Sequence, residues 1–258
     1  VTETRVYGRF DQFTDRVPDD LEQARDLLAR LERRGRVSDE IATRAAYLDL
    51  LGLRPGERVL DVGCGSGVVT RDVAARIRPG GRVVGLDPNR AFLVVARELA
   101  GAAGVLEDVE FRHGDARALP FGDAEFDAAL AVTALSHVPE GERAIPEMAR
   151  VVRPGGRVGV FDLDTDSLII AHPDRGMTRR MVAAHSDNGV TNGWLGRRLP
   201  GLFGAAGLER IEVRAFTPLE RDPRGFYAGV AERAAEIAVQ TGLVSEAERQ
   251  QWLAELRA

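Results

Sequence analysis

The residues best suited to chemistry cluster between Val59 and Thr70, in the stretch VLDVGCGSGVVT. Val59, Leu60 and Val62 form a short run of β-forming residues, Gly63, Gly65 and Gly67 follow, and a helical pattern starts near Val68. Strand, glycine turn and helix together bring a backbone close to a ligand, because glycine accepts positive φ and has no Cβ to hold the ligand away. Amides at the helix start then face whatever lies above the turn. Asp61 sets a carboxylate beside that turn, which suits a cationic group better than a phosphate. Asp87 closes the next apolar run, where its two acceptor oxygens can take both hydroxyls of a ribose. It can also cap the helix that begins near Asn89, and one residue can do both. His137, in Ala134-Leu135-Ser136-His137-Val138-Pro139, is the best-placed candidate for a general base, because imidazole ordinarily titrates near neutrality. A positioning or packing role for it is an equal alternative.

These residues must be positioned by regular alternation. Strands are expected at Val59–Val62, Arg82–Leu86, Val109–His113, Ala128–Val132 and Val158–Phe161, with helices at 68–77 and 89–101 between them. Repeated strand–helix units predict an α/β, doubly wound, mostly parallel sheet with helices on both faces and the site at the carboxyl ends of the strands. Asp61, Asp87, Asp115 and Thr133 all fall at such ends. Ahead of the sheet, Leu21, Ala24, Leu27, Leu28 and Leu31 mark one helix, and Ile41, Ala45, Leu48 and Leu51 a second.

The glycine spacing separates two cofactors. A dinucleotide fingerprint needs a small residue three positions after the second glycine, and Val68 stands there. The sequence also contains no lysine, its 35 basic residues all being arginine. This removes P-loop, Schiff-base and short-chain dehydrogenase chemistry. A G-x-G-x-G run after an acidic residue resembles the first motif of class I S-adenosylmethionine (SAM) methyltransferases. The likeness extends over residues 55–162: Asp115 in Gly114-Asp115-Ala116 matches the aspartate that meets the adenine amino group, and Arg153-Pro154-Gly155-Gly156 looks like the turn before the fifth strand. The quinone-biosynthesis methyltransferases are the group it is most similar to. The resemblance implies a Rossmann-like fold and SAM as cofactor, with S-adenosyl-L-homocysteine as product. It implies a cofactor site made of Asp61, Gly63, Cys64, Gly65, Asp87, Pro88, Asp115, Ala116 and Thr133. The Asn/Asp-Pro-Pro-Tyr signature of amino-group methylation is missing after the fourth strand, where Val132-Thr133-Ala134 stands.

Four regions are expected. Residues 1–54 form an N-terminal helical segment, with Tyr7, Phe10 and Phe13 either pinned to the surface or acting as a lid. Residues 55–162 are the SAM-binding core, and 163–196 a substrate-covering insertion after the fifth strand. Residues 197–258 complete the core through a helix at 197–206 and a strand over Leu208–Phe216, then end in a helical tail carrying Trp252 and Leu256 on an apolar face; no seventh strand is discernible. Exposed apolar surface on that tail would favour a homodimer. His172 and His185 lie near Asp162, Asp164 and Asp187 at spacings that match no familiar metal set, and His113 reads as structural.

The net charge of −5 offers no general pull on nucleic acid, and no apolar run approaches the length of a membrane span. Cys64 stands alone, which excludes an internal disulfide and favours a cytoplasmic setting. The reading is therefore an enzyme that methylates an oxygen, nitrogen or carbon of a small molecule. The alternatives are a non-catalytic SAM-binding module and a nucleotide-dependent oxidoreductase.

Overall fold

A computed structural model describes residues 11, 13, 20–221 and 226–256. Among them five strands form one parallel sheet in the order β3-β2-β1-β4-β5, with β1 at Arg58–Val62, β2 at Arg82–Asp87, β3 at Val109–His113, β4 at Phe126–Val132 and β5 at Val152–Phe161. Every pairing is parallel, so all five carboxyl ends emerge along one edge. The chain reverses its direction of winding at β1, which lies between β2 and β4, and a ligand crevice opens at such a point.

Alternation along the strands decides the two faces. Val59, Val83, Ala128 and Leu130 point to one side, where they pack with α2 (Ser38–Leu51), α3 (Val68–Ile77) and α4 (Arg90–Ala102). Leu60, Val62, Val84, Leu86, Ala129 and Ala131 point to the other, against α5 (Ala144–Val151) and α7 (Leu195–Ala205). Strands covered on both faces read as continuous apolar runs, which is why they were plain in the sequence. Outside this sandwich α1 (Leu21–Arg34) lays Ala24 and Leu28 on Ala91, Phe92 and Val95 of α4.

Three expectations are corrected. The Pro154-Gly155-Gly156 turn does not precede β5 but interrupts it. Phe126 pairs with Val152 and Ala128 with Arg157, so the extra residues bulge outward, with Gly155 at φ 76°. Leu208–Phe216 forms no strand. It is irregular, with Arg210 at φ 53°, and largely exposed; although the Phe216 ring meets Phe161 at 5.9 Å, no ladder joins it to β5. The helical tail is two helices, α8 (Phe226–Gln240) and α9 (Glu246–Leu256), broken where Gly242 takes φ 73°.

An apolar face of that tail is covered within the chain, while Leu243 remains exposed. Met181 and Ala184 of α6 (Arg175–Ala184) pack with Ala234, Ile237, Ala238 and Trp252 in a separate small core. Trp252 donates from Nε1 to the Thr178 hydroxyl at 3.0 Å, and His172 stacks on its indole at 4.9 Å. His172 is therefore a packing residue. The segment after β5 and the two last helices are one structural unit. Tyr7 and Phe10 lie outside the described residues.

Candidate active site

Asp61, Gly63, Cys64, Gly65, Asp87, Pro88, Asp115, Ala116, Thr133 and His137 all border one cleft above the carboxyl ends of the strands. The glycine turn at its centre is folded tightly for reasons visible in the packing. Gly63, Gly65 and Gly67 all take positive φ, at 73°, 53° and 74°. A Cβ on Gly63 would stand 2.5 Å from the Ala134 methyl, so the turn and the segment after β4 approach too closely for any other residue.

The amides of the turn itself are engaged within the chain. Gly63 and Cys64 both donate to the Leu86 carbonyl at 2.7 and 3.0 Å, and Gly67 donates to the Cys64 carbonyl at 2.8 Å. Gly65 donates to Asp87 Oδ2 at 3.0 Å. The turn therefore grips the end of β2, and what it gives a ligand is close approach. Cys64 is buried and its thiol is pushed well up by burial, so it is no nucleophile.

Two buried carboxylates flank this turn. Asp87 accepts the Gly65 amide on Oδ2 and the Asn89 amide on Oδ1, at 3.0 and 2.9 Å. The cap of α4 belongs to Asn89, whose side chain accepts from Phe92 at 3.1 Å, so Asp87 is not spent on it. Two of its roughly four acceptor positions are used, which leaves room for a diol's two hydroxyls. Burial raises its pKa to about 6, against the opposing backbone hydrogen bonds. Asp61 is 1% exposed and accepts the Thr70 hydroxyl at 2.5 Å. Burial, together with the charge of Asp87, raises it to about 7. Its carboxylate is bonded inward, to Thr70. A site with two reluctant carboxylates favours a cation.

Residues at the outer strand ends are less uniform. Asp115 is clamped by the Arg117 guanidinium, with contacts of 2.7 to 3.1 Å that hold its carboxyl below the usual range. An adenine amino group would share that carboxylate with Arg117. Ala116 is buried beside it and Pro88 stands exposed at the mouth. Thr133 takes φ 46° directly after β4, a strained conformation for a β-branched residue, and its amide bonds the Phe161 carbonyl at 2.7 Å.

His137 ends the 3₁₀ turn Leu135–His137. Its Nδ1 meets both oxygens of Asp11, at 2.8 and 3.0 Å, and no described residue bonds its Nε2. Around it the chain is stitched by partners the sequence reading missed. Asp162 accepts the Ser136 amide at 3.0 Å, and Asn192 donates its own amide to the Ser136 carbonyl at 2.7 Å. Thr191 donates to Asp11. His185, in a π turn over His185–Gly189, is 9% exposed, with a buried Nδ1 that has no hydrogen-bond partner among the described residues. Burial lowers its pKa to about 4, so it stays neutral. No group of three or more potential metal ligands occurs among the described residues, and His113 sits exposed at the end of β3, near Arg90.

The cleft fits the cofactor implied by the glycine motif: a buried carboxylate with spare acceptor capacity at Asp87, a second carboxylate beside the turn, and the His137 imidazole on the lining. Comparisons agree. A methyltransferase domain model matches residues 59–156. A demethylmenaquinone methyltransferase of Bacillus cytotoxicus is 32% identical over 68% of this chain and 80% of its own length. A 37.1 kDa protein of transposon TN4556 from Streptomyces fradiae, of uncharacterised function, is 35% identical over 85% of this chain, which spans 65% of that relative's length. The solved [4+2]-cyclase SpnF is 27% identical, with a TM-score of 0.53 over 86% of this chain and 76% of its own. The chain belongs to the class I S-adenosylmethionine-dependent methyltransferases, with SAM as its cofactor.

Proposed function

We propose that the protein transfers the methyl group of SAM to a nucleophile on a small molecule, with His137 removing the nucleophile's proton. SAM supplies a methyl carbon already activated by a positive sulfur, so the protein has to orient, exclude water and accept a proton. Asp87 would take the ribose hydroxyls, and Asp115 with Ala116 the adenine. Gly63, Cys64 and Gly65 would allow the close approach of the methionine end, with Asp61 as a nearby negative charge. Pro88 and Thr133 would border the nucleoside and the reacting carbon. The observation that carries the base assignment is the geometry of His137, whose Nδ1 is held by a carboxylate and whose Nε2 has no described partner.

The name of the Bacillus relative offers a first acceptor to test, demethylmenaquinone. In its reduced form such a ring carries hydroxyls, and loss of one proton makes either the oxygen or an adjacent ring carbon nucleophilic. One base would therefore serve O- and C-methylation alike. Residues 163–196 and Phe13 would cover the acceptor. The experiment measures labelled methyl passing from SAM to reduced demethylmenaquinone and to a panel of simple phenols, for wild type and His137→Gln. The expected result is a fall in kcat of about 10²–10⁴-fold with unchanged affinity for S-adenosylhomocysteine. Equal turnover would remove His137 as base.

The likeness to a cyclase supports one second reading, rearrangement of a small molecule in which no methyl is consumed. Product formed without S-adenosylhomocysteine would favour it.

A further inference from the structure

We propose that Asp11 is a positioning residue for His137: its carboxylate holds the imidazole with the proton on Nδ1 and so keeps Nε2 as an acceptor toward the cleft. What Nε2 then does rests on the base reading above; the tautomer itself does not.

Asp11 reaches the site from the N-terminal stretch, far from His137 in sequence, and its side chain is completely enclosed. Every contact made to it comes from a donor. Oδ1 takes the His137 Nδ1 at 2.8 Å and the Phe13 amide at 3.0 Å. Oδ2 takes His137 Nδ1 at 3.0 Å, the Thr191 amide at 2.8 Å and the Thr191 hydroxyl at 2.9 Å. Two backbone amides can only donate, one to each oxygen, so neither oxygen can be replaced by an NH₂ without setting donor against donor. A buried group with such surroundings is an ionised carboxylate. Burial alone would raise its pKa, but the hydrogen bond from His137 and the two amides bring it below the ordinary value. An acceptor-only partner at Nδ1 requires the proton there, and the lone pair is left on Nε2. The same logic operates wherever a carboxylate orients a catalytic imidazole.

Orientation is fixed a second time from the same stretch. The Phe13 ring lies 5.1 Å from the imidazole, tilted by 54°. Thr191 and Asn192 come from the segment after β5, and Asn192 also donates its side-chain amide to the Val138 carbonyl at 2.5 Å. The oriented histidine thus sits where Asp11 and Phe13 meet residues 135–138 and 191–192.

A structural anchor for the N-terminal stretch would make some of the same contacts, and it would not fix a tautomer. The test is therefore spectroscopic. Full-length protein labelled with ¹⁵N-histidine and saturated with S-adenosylhomocysteine is observed by long-range ¹H–¹⁵N correlation at pH 8. Loss of one signal in His137→Gln assigns His137 among the four histidines. The expected wild-type signature is a neutral imidazole protonated on Nδ1, and Thr191→Val keeps it because the Thr191 amide remains. Asp11→Asn shifts the tautomer ratio at least about tenfold toward Nε2–H. A wild-type ring protonated on Nε2 overturns the assignment without recourse to any variant, and so does an unchanged ratio in Asp11→Asn. Wild-type turnover in His137→Gln would remove the base reading and leave the tautomer result standing.

Discussion

Replacing Asp87 with alanine tests the cofactor site most sharply, because the structure gives both the size and the pH dependence of the effect. Asp87 has capacity for two ribose hydroxyls beyond the Gly65 and Asn89 amides it already accepts. Hydrogen bonds to a charged group contribute about 1.5–3 kcal/mol each. At the low end, two of them amount to about 3 kcal/mol, or about 100-fold in Kd. The folded pKa of about 6 lies above the ordinary value of 3.8 for an aspartate, so ionised Asp87 opposes folding. Its stabilising contribution is complete below about pH 4 and is lost as pH rises through about 6. The shift of roughly two units is worth about 3 kcal/mol. Removing the carboxylate at pH 8 relieves that cost and orphans two amides, so the stability of the free protein changes little while affinity collapses. Calorimetric titration with S-adenosylhomocysteine at pH 8 and pH 5 reads both parts. Wild-type affinity falls toward pH 5 as Asp87 and Asp61 protonate, and the mutant's dependence is flatter, retaining only the part due to Asp61. A mutant Kd within about threefold of wild type at pH 8 would refute the ribose contact.

Other perturbations follow from particular packing. Gly63→Ala puts a methyl 2.5 Å from that of Ala134 at φ 73°, and a loss of at least about 2 kcal/mol is expected in urea unfolding; an unchanged midpoint contradicts the close approach. Trp252→Ala removes the largest side chain in the core shared by α6, α8 and α9, with an expected loss of about 3–5 kcal/mol. A selective loss of hydrogen-exchange protection in those helices would confirm them as one unit. His185 has its pKa lowered from 6.5 to about 4, so it opposes folding as pH falls through that window. Between pH 7.5 and 5 it should cost about 2 kcal/mol, a cost absent in His185→Gln; parallel stability profiles for the two proteins would show the histidine to be solvated.

The parallel sheet was legible because its signals are local. Doubly buried strands read as apolar runs, and the glycines of Gly63–Gly67 mark the one turn that must touch both Ala134 and the end of β2. Asp61 and Asp87 could be found at strand ends, and His137 shortly after one, without knowing their partners. Partners were another matter. Asp11 lies far from His137 along the chain, and no spacing rule links them; the neighbouring Phe10 and Phe13 flagged the stretch for its aromatic residues, not for its carboxylate. Likewise, Thr191 and Asn192 sit in a polar run that carries no period. Half of the small core around Trp252 is alanine, whose cover exists only in three dimensions, so the sequence showed an apolar face without its partner. Leu208–Phe216 has strand-like residues without a paired neighbour, and composition alone cannot supply the neighbour.

The central claim is that bound SAM is consumed as a methyl donor. Its most direct test is the stoichiometry of S-adenosylhomocysteine released per molecule of acceptor altered, followed in one reaction by mass spectrometry with methyl-deuterated SAM and reduced demethylmenaquinone or the phenol panel. One equivalent of S-adenosylhomocysteine for each product, and three deuterons in that product, is the result the account predicts. Product that forms without deuterium while SAM remains intact, or SAM that binds and is never turned over with any acceptor offered, would contradict it.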